Sequence, residues 1–66
     1  MQIRLKELRE GRFLSQRDLA EKAGVNAVTI ARLEGGKQEP TFRTIRKLAA
    51  ALGVEPGELV AREPAK

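Results

Sequence analysis

Sixty-six residues with neither cysteine nor histidine must fold on one apolar core, since disulfides and a conventional zinc site are excluded. Tyrosine and tryptophan are also absent, which removes most general bases, nucleophiles and metal ligands, so catalysis, a metal and a cofactor are not expected. Thirteen basic residues against nine acidic give a net charge of +4, with eleven of the basic residues in positions 1–47, a balance suited to a polyanionic partner.

In chain order, Ile3, Leu5 and Leu8 stand among charged residues, and Gly11 supplies a stop. This pattern predicts a first helix over residues 2–11. Ser15 is a good N-cap for a second helix, and Asp18 three residues later shortens the usual capping box. Leu14 and Leu19 form a hydrophobic staple around that cap, Ala20 and Ala23 extend the buried stripe, and Gly24 ends the helix. Asn26 caps a third helix, in which Ile30 and Leu33 share one face and Gly35-Gly36 close the end. The segment 37–40 reads as a turn. Thr41 caps a fourth helix with Phe42, Ile45, Leu48, Ala49 and Leu52 at apolar positions of the helical period and Gly53 beyond. Pro56, favoured at a first helical position, opens a short fifth helix to about Ala61. No stretch alternates with period two. The expected fold is therefore all-α, with one domain over residues 1–61 and a frayed tail over 62–66.

Between Gln16 and Gly35 two capped helices flank a single glycine turn. Ala20 is small enough for the next helix to cross close above it, while Ile30 and Leu33 fix that helix from below. The geometry is that of a helix-turn-helix, a unit that holds its second helix proud of the surface for insertion into a groove. The runs Leu14-Ser-Gln-Arg-Asp-Leu-Ala20, Ala23-Gly-Val25, Thr29-Ile-Ala-Arg-Leu-Glu-Gly-Gly-Lys37, Pro40-Thr-Phe42 and Leu48-Ala-Ala-Ala-Leu-Gly-Val54 go further. With them the chain resembles the Cro/cI-type (XRE-family) DNA-binding domains over residues 4–60. The resemblance implies a five-helix, lambda-repressor-like domain that binds double-stranded operator DNA as a homodimer.

Advancing about 100° per residue from a buried Ile30 turns Val28 and Arg32 outward on one face of the third helix. Asn26 and Ala27 occupy its exposed first turn. These four residues are expected to read bases: Val28 against a thymine methyl, Arg32 bidentate to guanine. Family members often carry glutamines at the positions of Ala27 and Val28, so the reading here shifts toward Arg32 and Asn26. Gln16, where the family places a phosphate ligand, and Arg17 lie at a helix N-terminus that favours anions. Thr29, Gly36, Lys37 and Gln38, with backbone amides of the glycine turn, are the expected phosphate contacts on the other side. Arg43, Arg46 and Lys47 read as a solvated face. The resemblance further implies a partly buried ion pair between Arg9 and Glu34.

Leu52, Val54, Leu59 and Val60 are the candidate dimer surface, with Phe13 a second exposed apolar contact; the competing reading is that these residues cap the core of one protomer. A rival role is an antitoxin or co-activator that holds another protein, a toxin or co-regulator, with DNA binding secondary. The longest apolar run, residues 48–52, is far short of a membrane span, and residues 1–14 carry no export signal. A cytoplasmic protein with no membrane association is expected.

Overall fold

The computed structural model describes residues 3–60. It contains five helices: α1 (Leu5–Gly11), α2 (Gln16–Ala23), α3 (Ala27–Glu34), α4 (Phe42–Leu52) and α5 (Pro56–Leu59). Among the described residues there is no strand, only an isolated antiparallel bridge between Ile3 and Val60. The expected all-α, five-helix architecture is the one observed. The expected domain limits at 1–61 and the tail at 62–66 reach outside the described residues.

Three of the caps form as their residue types dictate. Ser15 Oγ accepts from the Asp18 amide at 2.9 Å, and the Ser15 amide donates back to Asp18 Oδ2 at 3.0 Å, which completes the capping box. Hydrogen bonding to the carboxyl from Ser15, its amide first and its hydroxyl second, holds Asp18 below the usual carboxylate range. Asn26 Oδ1 accepts from the Val28 amide, and Thr41 Oγ1 from the Thr44 amide. At the C-termini, Gly24, Gly36 and Gly53 all take positive φ. Each is followed by an amide that reaches back five residues: Val25 to Ala20 O, Lys37 to Arg32 O and Val54 to Ala49 O. This is the Schellman turn, which uses a left-handed residue to satisfy carbonyls that the helix leaves orphaned.

Leu5, Leu19, Ile30, Leu48 and Leu59 are the largest fully buried side chains, one from each helix. The helices therefore share a single core. Within it α2 packs on both α3 and α4, α1 closes over α3, and α5 packs on the far end of α4.

The structure amends four expectations. First, α1 begins at Leu5 rather than residue 2. Ile3 instead bridges to Val60, and the Arg4 amide donates to Leu59 O at 2.7 Å, so the start of the described chain is tied to its end. Second, α5 stops at Leu59, where Val60 turns extended. Third, Phe42 is 73% exposed although its spacing matches the apolar stripe of α4. It occupies the first position of α4, a full turn before Ile45, where no neighbouring helix reaches it. Fourth, Leu52 and Leu59 lie in the protomer's own core, 2% and 0% exposed. Their side chains have no surface left for a partner, which narrows the apolar surface near α5 to the half-buried Val54 and Val60.

Candidate nucleic-acid interface

Two helices and their turns position the site. α2 ends in the Gly24 turn, and after Val25 and Asn26 the chain enters α3, which lies across α2 with Ile30 and Leu33 buried beneath it. On the opposite face Val28 (53% exposed) and Arg32 point to solvent one turn apart, with Ala31 exposed beside them. An outward valine loses favourable burial in water and regains it only against another apolar group.

Of the other two residues expected to read bases, each departs in one respect. Ala27 is half-buried and packs against the core. It lies three residues before Ile30 and so shares the buried side of the helix, an outcome the 100° rule already contains. Asn26 is exposed, but its Oδ1 is taken by the Val28 amide at 2.8 Å. Its amide hydrogens are left to donate to a base, while the cap bond ties the oxygen to the helix end and works against the donor-plus-acceptor pair that reads adenine.

Beneath this face lies a carboxylate with three donors. Glu34 accepts from Arg9 Nε at 2.6 Å, Arg9 Nη2 at 3.0 Å and Gln16 Nε2 at 3.0 Å. Arg9 Nη1 adds a bond to Leu14 O at 2.7 Å. The two charged side chains are only 10% and 5% exposed. One ion pair thus joins α1 to the last turn of α3, and Gln16 joins the first residue of α2 to the same carboxylate. The link from Gln16 to Glu34 carries no mark in the sequence, because it spans eighteen positions with no shared period. The remaining hydrogen on Gln16 Nε2 is the one free to meet a phosphate.

Burial pushes the Glu34 carboxyl up, but the hydrogen bonds from Arg9 and Gln16, and the charges of Arg9 and Lys6, outweigh it and hold the group below its ordinary range. The sign of the linkage follows. A folded-state value lower than the unfolded one adds stability above the ordinary glutamate range, and that increment is lost as pH falls from there through the lowered value. Acid titration followed by circular dichroism is expected to show this loss in the native chain. A Glu34→Gln chain, less stable at neutral pH, should show a shallower dependence over the same window. Equal slopes would remove Glu34 as the source.

The phosphate side is changed at one point. The Gly36 and Lys37 amides already donate to Leu33 O and Arg32 O, so the glycine turn has no backbone donors to spare for an anion there. What it presents is side chains: Lys37 and Gln38 are exposed, and Thr29 is half-buried. At the other end Arg17 is exposed and Gln16 half-buried. The amides of Gln16 and Arg17 belong to the first turn of α2, which has no helical carbonyls to accept them. Arg43, Arg46 and Lys47 are exposed along α4.

A short helix laid across another, with an apolar-and-cationic outer face and cations beside it, defines a helix-turn-helix DNA-binding domain. The helix-turn-helix family model matches residues 5–59, and the chain belongs to that family. It is 35% identical over 60 residues to the immunity repressor protein of Bacillus phage phi105, covering 91% of this chain and 42% of that protein. It is 40% identical over 55 residues to an HTH-type transcriptional regulator of Methanocaldococcus jannaschii, covering 83% of each. The crystal structure of the restriction-modification controller protein C.AhdI from Aeromonas hydrophila superposes with a TM-score of 0.81 at 40% identity, again over 83% of each chain. The chain spans about two-fifths of the length of the phage repressor. These relatives are thus a repressor, a transcriptional regulator and a controller protein. Among the described residues no helix is long and apolar enough to cross a membrane.

Proposed function

We propose that the chain acts in the cytoplasm as a repressor, binding a two-fold symmetric operator as a homodimer with α3 in the major groove. The observation that carries this reading is the pairing of Val28 and Arg32 on the open face of a helix whose other face is anchored by Ile30 and Leu33. An apolar group and a bidentate donor one turn apart match a thymine methyl and the O6/N7 edge of guanine. Cations at both ends, Arg17 and Lys37, would grip the flanking phosphates and set the register. Two copies on one operator would place their α3 helices one DNA turn apart, roughly 34–36 Å. The repressor assignment leans on the likeness to the phage protein.

Selection from random duplexes, then titration at two salt concentrations, is the test. A palindromic consensus and affinity falling steeply with salt are expected. Binding with no preferred sequence and a flat salt response would overturn the proposal in favour of a protein-binding role, with a toxin or co-regulator as partner. Within the preferred site, Arg32→Ala is expected to relax discrimination at one base position by roughly 1–3 kcal/mol, whereas Lys37→Ala weakens all sequences alike. Identical behaviour of the two variants would show that Arg32 does not read a base.

A further inference from the structure

Phe13 combines two features that rarely meet. It is 94% exposed, and its φ is +56°. The hydrogen bonds explain where it sits: the Phe13 amide donates to Glu10 O and the Leu14 amide to Arg9 O. That is the same Schellman geometry found after α2, α3 and α4, where the left-handed position is held by Gly24, Gly36 and Gly53. At the end of α1 the position is held instead by a phenylalanine, which is strained in this conformation and buries nothing within its own protomer. Backbone strain of this kind is a pointer to function.

Beside it lies an open cleft of about 390 Å³ walled by Arg12, Leu14, Lys22, Ala50 and Ala51. Its lining combines apolar Leu14, Ala50 and Ala51 with two cations, Arg12 and Lys22, surroundings that favour the face of an aromatic ring. Phe13 leaves this cleft unfilled. Phe42, the other phenylalanine of the chain, starts α4 while the cleft lies at that helix's end. Arg12 and Leu14, which line the cleft, flank Phe13 in sequence, so the exposed ring stands close to it. A two-fold axis therefore lets two copies exchange rings at once, a closed contact that satisfies both clefts. The cleft reaches Gly53, next to Val54 of the expected dimer surface.

We propose that Phe13 is an intersubunit anchor, the ring of one copy seating in the Arg12–Leu14–Lys22–Ala51 cleft of a second copy and the reverse. This inference rests on the homodimer reading. Sedimentation of the native chain and of Phe13→Gly over a range of concentrations tests it, with circular dichroism to verify the helices. The glycine variant is expected to dissociate at concentrations about tenfold or more above those of the native chain. Its melting temperature, measured where monomer dominates, should rise because the strain is gone; a merely structural role predicts no loss of association. If Phe13→Gly associates as tightly as the native chain, the anchor is wrong and the homodimer stands. If the native chain is monomeric at every concentration, free and on duplex, the anchor and the homodimer reading both fall. As a second measurement, a photoreactive benzoylphenylalanine at position 13 keeps the ring, and is mixed with isotope-labelled native chain. Cross-links to residues 12–22 or 50–53 of the labelled copy support the proposal; cross-links elsewhere, or none, overturn it.

Discussion

Arg9→Ala is expected to destabilise the domain by about 3–5 kcal/mol, the cost of leaving one member of a buried ion pair without its partner. The magnitude follows from burial. Glu34 would keep one neutral donor, Gln16, in a place where its side chain is 5% exposed, and Leu14 O would lose its guanidinium donor as well. A domain this small has a total stability of only a few kcal/mol, so the variant should be substantially unfolded at room temperature. The control is Arg4→Ala. Arg4 also pairs with a glutamate, Glu7 at 3.5 Å, but at 45% and 70% exposure, where such a pair contributes about 1 kcal/mol or less. Urea denaturation compares the two through the midpoint at constant slope. If Arg9→Ala and Arg4→Ala shift the midpoint alike, the buried pair is not holding the helices together. Replacing Arg9 and Glu34 together by methionine and leucine should recover much of the loss, because no charge is then stranded.

The second large effect lies on α3. Ile30 is 0% exposed and belongs to the common core, so Ile30→Ala removes three buried carbons and leaves a cavity, a change that costs roughly 2–5 kcal/mol. Val28→Ala, two residues away on the open face, should alter stability by about 0.5 kcal/mol or less. DNA binding should separate the pair in the opposite sense once protein is kept folded by low temperature: the valine variant loses affinity for the preferred site, while whatever folded isoleucine variant remains keeps its sequence preference. A Val28→Ala protein with unchanged affinity and preference would remove Val28 from the reading face.

Much of this was readable from the residues because the relevant physics is local. Ser15, Asn26 and Thr41 are short acceptors next to apolar periodic segments, and all three cap as expected. Leu19, Ile30 and Leu48 fall on helical periods and are buried. What escaped depends on neighbours distant in sequence. Phe42 fits the period of α4, yet periodicity cannot tell that no helix packs over its first residue. Leu52 and Leu59 looked like surplus apolar surface until α5 folded back onto α4. The sequence puts Gln16 at the start of α2, but its tie to Glu34 needs α2 and α3 docked before it can be seen. The pair of Arg9 and Glu34 was drawn from family likeness rather than from spacing, and its geometry is as implied.

The single carboxylate of Glu34 receives donors from α1 and α2 while standing at the end of α3. Three helices meeting at one charge cannot pivot independently without breaking at least one strong bond. Helix α3 is therefore held in one orientation in the free protein, and the entropy of fixing it is lost during folding rather than on contact with a duplex. Binding to a preferred site should then resemble rigid docking, with little change in helix content on mixing. Variants that loosen Glu34 without removing a phosphate contact, such as Arg9→Lys, should lose affinity mainly by adding an ordering step, which would appear as a more unfavourable binding entropy in calorimetry.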